Sequence, residues 1–310
     1  MTTLDIKKYL NLLAKDNDTL YYFPNPGNAG DSLIAYATFQ IFKEINLNYR
    51  TLNIKNYQDF APKNKILIYG GGGNLVNNNN KWARDIIHKF HCQVKKLIIL
   101  PHTINTHEDL LRELGSNVEI ICREEISYNH VKKYAPKVNN VMLMDDLAFS
   151  LNVEDILHNK PITFLESVAF KAYYKLTGNE RCSSISSPRI MIGNSYHEVK
   201  QYINQLTRND KTLNCFRTDG EKTTIPGNNL DLSRLYMYGT NNEEVAFYTC
   251  YRLLSFMRQW DEIKTNRLHL GIAGALLGKK VKFYGNNYYK CKAVYQYSMK
   301  NRFPNVQWIG

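Results

Sequence analysis

Leu20-Tyr21-Tyr22-Phe23 runs straight into Pro24-Asn25-Pro26-Gly27-Asn28-Ala29-Gly30-Asp31, and from Ser32 to Ile45 apolar residues recur at helical spacing. An apolar run, a turn-rich loop and a helix make the first half of a β-α-β unit. The same order returns at Ile66-Leu67-Ile68-Tyr69, which opens into Gly70-Gly71-Gly72-Gly73-Asn74 and a helical pattern from about Lys81 to His88. Short apolar runs alternating with helical patterns predict a parallel sheet in an α/β fold.

Three more runs end in polar residues: Leu97 to Leu100 before Pro101-His102-Thr103, Val118 to Cys122 before Arg123, and Val141 to Met144 before Asp145-Asp146. Open parallel sheets bind ligands outside the carboxyl ends of their strands, so these residues are expected to form one rim of a cleft. At 310 residues the chain suggests two domains, at about 150 residues each. A helical pattern from about Glu154 to Gly178 leads into a polar connector, Gly178 to Pro188, which puts the expected boundary between domains 1–178 and 179–310. The second half reads as strands at Leu213 to Phe216 and Val281 to Tyr284, with helices at Glu243 to Arg258, Thr265 to Leu277 and Ala293 to Lys300.

Hydrophobic residues at 44% and charged residues at 22% indicate a folded globular chain. The net charge of +12 attracts anions of every kind. The basic residues are spread along the chain without a zinc-finger, RNP or basic-zipper pattern, which argues against nucleic acid as partner. Cys92, Cys122, Cys182, Cys215, Cys250 and Cys291 lie far apart and read as free thiols. The polar start lacks a signal-peptide pattern, and no apolar run approaches the roughly 18 residues of a spanning helix. Cytoplasmic residence is expected, with a basic surface able to touch an anionic membrane face.

Gly27-Asn28-Ala29-Gly30-Asp31 joins strand to helix, where glycines admit a ligand and the helix start offers free N–H groups to an anion or a sugar hydroxyl. A tight turn with Asp31 as helix cap explains the same five residues equally well. The four glycines before Asn74 carry no Gly-Lys-Ser/Thr and so make no P-loop, yet their backbone entropy favours a ligand-lining loop. Arg217, in Cys215 to Lys222, can hold a carboxylate or phosphate bidentately, although a solvated charged loop is the simpler reading. Arg267 and His269 are expected in the first turn of a helix packed closely on a sheet. A cation there opposes the helix dipole unless an anion also occupies the site, which hints at a bound anion and makes His269 an acid-base candidate.

Taken in order, Gly27 to Asp31, the glycines ending at Asn74, Pro101-His102-Thr103-Ile104, Arg123 with Ser127, Arg217-Thr218-Asp219 and Arg267-Leu268-His269 resemble the polysaccharide pyruvyl transferase family. The stretch from Tyr284-Gly285-Asn286-Asn287 through Lys292 to Ser298 and on to Arg302 to Val306 is similar to that family's ending, so the resemblance spans nearly the whole chain. Asn266 stands where an Asp often precedes Arg-Leu-His, and Lys290-Cys291-Lys292 replaces a more usual Lys-Asn-Arg.

The resemblance implies a GT-B-like fold of two Rossmann-like domains facing a cleft. It implies transfer of the pyruvyl group of phosphoenolpyruvate onto two hydroxyls of one sugar, forming a cyclic ketal and releasing phosphate. The donor's carboxylate and phosphate call for fixed cations, for which Arg217 and Arg267 are the pair, with Lys290 or Lys292 assisting. His269 would protonate the methylene carbon and Asp31 would hold or deprotonate an acceptor hydroxyl. Asn28, Gly30, Gly72, Gly73, Asn74, His102, Thr103 and Arg123 would contact the acceptor or line its loops, Asn28 and Asn74 bonding to sugar or phosphate oxygens, and the acceptor side falls to the first domain. The resemblance names a saccharide acceptor, free or lipid-linked, without fixing the bridged hydroxyls or the protein's oligomeric state. No metal or other cofactor is expected, since no His/Asp/Glu set has ligand spacing. A GT-B glycosyltransferase using a nucleotide sugar is the rival enzyme, and an anionic-glycan binding protein the rival outside enzymes.

Overall fold

The computed structural model describes residues 5–15, 19–54, 56–76, 82–158 and 211–310. The chain divides into two compact units, one of Met1–Asn25 with Ala37–Leu147 and the other of Pro26–Tyr36 with Ala148–Gly310. The expected break after residue 178 lies outside the described residues. Compactness divides the chain after Leu147 and assigns Pro26–Tyr36 to the second unit.

The elements from the start to residue 143 are α1 (Ile6–Lys15), β1 (Leu20–Phe23), α2 (Ala29–Glu44), β2 (Tyr49–Thr51), β3 (Ile66–Tyr69), β4 (Gly72–Leu75), α3 (Trp82–Phe90), β5 (Lys96–Ile104), α4 (Glu108–Glu113), β6 (Val118–Cys122), α5 (Glu125–Tyr134) and β7 (Asn140–Leu143). The seven strands form one sheet in the order β2-β1-β3-β5-β6-β7, with β4 added alongside β5. All of these pairings are parallel. The near-continuous burial of β1, β3, β5 and β6 fits a sheet covered on both faces. From the later turns of α2, Phe39 and Phe42 meet Tyr22 edge-on, with ring centroids 5.4 and 5.1 Å away.

The glycine run corrects the sequence expectation. Gly72–Leu75 is a strand rather than a loop, with Gly72 and Leu75 paired to His102 and Ile104 of β5. A Cβ at Gly70 would stand 2.5 Å from the Asn25 backbone nitrogen, and one at Gly72 would collide with the Asn25 side-chain amide. Close approach of the chain's own Pro24–Asn25 segment therefore accounts for glycine at both positions.

The second unit holds the start of α2, then α6 (Val153–His158), β8 (Thr212–Asn214), α7 (Leu232–Leu235), α8 (Glu243–Met257), β9 (Glu262–Thr265), α9 (Leu268–Leu276), β10 (Lys280–Phe283), α10 (Lys290–Val294) and β11 (Val306–Trp308). Its four described strands are parallel in the order β11-β10-β9-β8. Two small residues bring α9 onto this sheet: a Cβ at Gly271 would lie 3.1 Å from the Phe283 ring, and one at Gly274 would lie 2.8 Å from Val281. Thr265 ends strand β9 and does not open the helix, which begins at Leu268. The last helix starts at Lys290, three residues before the expected Ala293, and continues as a π-helical turn over Tyr295–Met299. The start of α2 belongs here because Ser32 Oγ donates to Gly239 O at 2.9 Å and Tyr36 packs its ring 5.5 Å from that of Phe247 on α8. No helix among the described residues is long and apolar enough to cross a membrane.

Candidate anion site

The site is built where β8 and β9 end. Arg217 follows β8, Arg267 is the residue before the first turn of α9, and Lys290 opens α10. Both guanidinium groups reach the same carboxylate: Arg217 Nε donates to Asp219 Oδ1 at 2.7 Å, and Arg267 Nη1 lies 3.0 Å from Asp219 Oδ2. Arg217 also pairs with Glu221, which Lys290 Nζ meets at 3.1 Å, and Arg267 Nε donates to Asp231 Oδ1 at 2.9 Å. Three cations thus face three carboxylates. Arg217, Arg267 and Lys290 are buried, while Asp219 remains 38% exposed at its side chain and so forms the solvent side of the cluster.

Burial alone would raise Asp219, but the Arg217 hydrogen bond and the Arg267 charge outweigh it and hold the carboxyl well below the usual carboxylate range. Burial acts likewise on Glu221 and is outweighed by the charges of Lys290 and Arg217. Burial would lower Arg217, yet its bond to Asp219 and the Glu221 charge raise it further above its ordinary value. Arg217 is therefore held charged, and its ion pairs fix its direction. The anion that the basic helix start called for is supplied by the protein, through Asp219 and Asp231 on Arg267.

Asn266 braces this arrangement. Its Oδ1 accepts from Arg217 N at 2.8 Å and its Nδ2 donates to Thr223 Oγ1 at 3.0 Å. An amide offers both a donor and an acceptor here, whereas an ionised Asp could only accept. Asn229 and Asp231 escaped the sequence reading. Asn229 holds both the N–H and the C=O of Phe216, and Asp231 accepts from Thr218 N at 3.0 Å, but nothing in their spacing marks them. Lys292 does not join the cluster: two residues along a helix from Lys290 lies the opposite face, and there it is exposed.

His269 sits in the first turn of α9, half-buried against the loop that begins α2. A Cβ at Gly30 would collide with His269 Nδ1 and lie 3.0 Å from both the His269 Cβ and Asn28 Oδ1. The loop is a reciprocal cap: Asn28 Oδ1 accepts from Gly30 N at 2.8 Å, and Asp31 Oδ2 accepts from Asn28 N at 2.9 Å. Asn28, Gly30, Asp31 and His269 therefore share one unit with Arg217, Arg267 and Lys290.

The other expected residues gather in the first unit. Tyr69 and Asn74 both donate to Asn25 Oδ1, at 2.8 and 2.7 Å, and a His102 ring nitrogen lies 2.9 Å from Asn74 Oδ1. Gly73 is half-buried beside them and Gly72 is buried. Arg123 is only 1% exposed and spans Thr103 Oγ1 at 2.8 Å and Asp146 Oδ2 at 2.7 Å. It braces the ends of β5, β6 and β7 from within and does not line a solvent-facing rim.

Burial pushes the Cys215 thiol up to about 12 and takes Cys122 and Cys250 well above the ordinary thiol value, so none of these supplies a thiolate nucleophile. Folding also gathers His88, His91 and Glu113, whose ligand atoms lie within 4.8 Å of one another in the first unit. His88 Nδ1 already stands 3.1 Å from Glu113 Oε2, so an ordinary ion pair accounts for part of that cluster.

Parallel sheets, with helices in the connections and polar side chains gathered beyond the strand ends, define a Rossmann-like α/β protein. The chain belongs to the polysaccharide pyruvyl transferase family, whose model matches residues 28–288. It is 23% identical over 318 residues to the Bacillus subtilis (strain 168) protein named "Putative pyruvyl transferase EpsO", covering 97% of this chain and 91% of that one. It also matches the crystal structure of KP1_0663, a functionally uncharacterised protein from Klebsiella pneumoniae subsp. pneumoniae NTUH-K2044. That match has a TM-score of 0.73 and 30% identity, over 99% of this chain and 100% of the other. Family membership makes the protein a transferase of polysaccharide biosynthesis.

Proposed function

We propose that the protein transfers the pyruvyl group of phosphoenolpyruvate onto two hydroxyls of one sugar in a glycan or glycan precursor. The observation that carries this reading is the convergence of Arg217 and Arg267 on one carboxylate, with Lys290 one carboxylate further on. Two guanidinium groups able to share the carboxylate of Asp219 can share that of a small carboxylate ligand, and Lys290 adds charge for its phosphate.

His269 gives a proton to the methylene carbon as the first acceptor oxygen bonds to the central carbon, and that hydroxyl's proton passes to a base. The second hydroxyl then attacks the same carbon as phosphate leaves with the C–O bond electrons; its proton recharges His269 and the base passes its own to the departing phosphate, so one ketal and one phosphate form from one donor and one diol. Asp31 holds the acceptor hydroxyl in this scheme, while its other task is to cap the loop through Asn28. The GT-B-like reading of the two parallel-sheet units belongs to the same proposal. So does cytoplasmic residence, with the net charge of +12 suiting an acceptor carried at an anionic membrane face.

The test is incubation with phosphoenolpyruvate and a panel of pyranoside acceptors, reading phosphate release and the mass of the sugar product. Acceptor-dependent phosphate with a ketal product supports the assignment. Consumption of nucleotide sugars alone, or phosphate release indifferent to acceptor, overturns it.

A further inference from the structure

Beside the charged cluster, within the second unit, lies a cavity of about 630 Å³ whose lining includes Asn214, Phe216, Thr223, Lys264, Tyr284 and Asn286. We propose that it is a saccharide subsite that seats an uncharged pyranose unit of the acceptor. The role as acceptor subsite rests on the pyruvyl-transfer reading; the binding of sugar does not.

The floor follows from strand geometry. Asn214 and Lys264 are register partners on β8 and β9, and Lys264 in turn pairs with Lys282 of β10. Two residues beyond Lys282, alternation returns Tyr284 to the same face. The wall is aromatic and well held: Phe216 has ring centroids 5.0 Å from those of Tyr284, tilted by 53°, and its backbone is clamped at both N–H and C=O by Asn229. Such a pair offers apolar faces to the C–H surface of a sugar ring.

The polar groups are of the kind that read hydroxyls. Thr223 accepts from Asn266, which leaves its own O–H as a donor, and the Asn214 amide carries both donor and acceptor functions. The charge differs from that of the neighbouring cluster. Among the described residues of the lining Lys264 is the one cation, and its Nζ lies 3.4 Å from Glu262 Oε1, a carboxylate whose other oxygen lies 3.4 Å from Lys282 Nζ. With one lysine that already faces a carboxylate and otherwise uncharged side chains, the lining suits a neutral polar ligand better than a second phosphate, for which the neighbouring cluster holds three cations. Its size falls within the roughly 300–1,000 Å³ of small-molecule sites and far exceeds what a three-carbon donor fills.

Position ties it to the chemistry. The segment from Arg217 to Thr223 turns Arg217 toward the cluster and Thr223 toward the cavity, and Asn266 bonds to both ends. Asn286 lines the cavity and donates to Glu221 at 3.1 Å, the carboxylate shared by Arg217 and Lys290. A sugar seated there would sit one layer of side chains from the donor. The sequence reading assigned the acceptor to the first domain; this cavity brings sugar recognition into the second unit.

Saturation-transfer NMR on the full chain, without donor, against a panel of methyl hexopyranosides and N-acetylhexosaminides tests the subsite. Two variants accompany it: Tyr284→Ala, and Thr224→Trp at an exposed lining position where a large ring fills the cavity without entering the core. Transfer to ring protons is expected in the natural chain, weakened about tenfold by Tyr284→Ala and abolished by Thr224→Trp, with melting of Thr224→Trp unchanged. Phosphoenolpyruvate affinity, measured calorimetrically in the same samples, is expected to stay within about twofold. No transfer from any glycoside, or transfer that survives Thr224→Trp, overturns the subsite. Sugar binding intact in a chain that neither binds nor consumes phosphoenolpyruvate sinks the donor reading and leaves the subsite standing.

Discussion

Arg267 touches two carboxylates of different character, the half-exposed Asp219 and the buried Asp231, and this separates its structural role from its chemical one. Removing its side chain leaves Asp231 with the Thr218 hydrogen bonds but without its cation. Arg267→Ala is therefore expected to lower stability by about 3 kcal/mol in urea unfolding, and adding Asp231→Asn should recover much of that. The double variant should fold yet fail to bind phosphoenolpyruvate by calorimetry; recovered binding would make Arg267 a purely structural residue. His269 is expected to divide the effects differently. His269→Ala should cut turnover by about 10²–10⁴ while phosphoenolpyruvate affinity stays nearly unchanged, and an equal loss in both would make it a binding group.

At the scale of elements, the start of α2 and the start of α9 are set against each other by a missing side chain. An added methyl at Gly30 obliges the His269 imidazole to turn away, because Nδ1 stands in its place and the His269 Cβ is only 3.0 Å off. Gly30→Ala should thus lower turnover by about tenfold or more with little change in melting, since the ring, not the backbone, gives way. Stopped turnover together with a collapsed melting transition would contradict this. The strands β1, β3 and β6 were legible to the residue, because runs that are apolar throughout, or interrupted only by Glu119 in β6, leave little else to be in a sheet buried on both faces. Strand β9 was not legible: Glu262-Ile263-Lys264-Thr265 buries only Ile263 and Thr265, and so short an alternation merges with the helix behind it. Strand β4 was hidden by glycine, which carries no strand propensity, and only the close approach of Asn25 reveals why it is there. Of the site, the cations were readable as residue types at strand and helix ends, and local ion pairing of Arg217 with Asp219 and Glu221 was readable from their alternation, whereas Asp231 on Arg267 and Lys290 on Glu221 depend on loop paths that no spacing encodes.

Across the whole molecule, two carboxyl networks make opposite demands on pH. In the second unit, Asp219 and Glu221 are held below their ordinary values because the cations around them outweigh burial. Unfolded, such groups titrate at about 4, so just below that the unfolded chain binds more protons and stability falls with acid; the contribution is complete above the unfolded value. In the first unit, burial raises Glu124 against the hydrogen bonds it accepts from Ser127, at the head of α5. There the folded chain binds more protons, so this group favours folding most at low pH and loses that contribution as pH rises through its raised value. The two slopes have opposite signs and partly cancel in the natural chain. Asp219→Asn removes a rising term, so its urea midpoint should fall less than that of the natural chain between pH 6 and about pH 3.5. Glu124→Gln removes the opposing term, so its midpoint should fall more steeply over the same interval. Midpoints that track the natural chain in both variants would show that neither network sets the acid response, and would move its origin to the surface carboxylates.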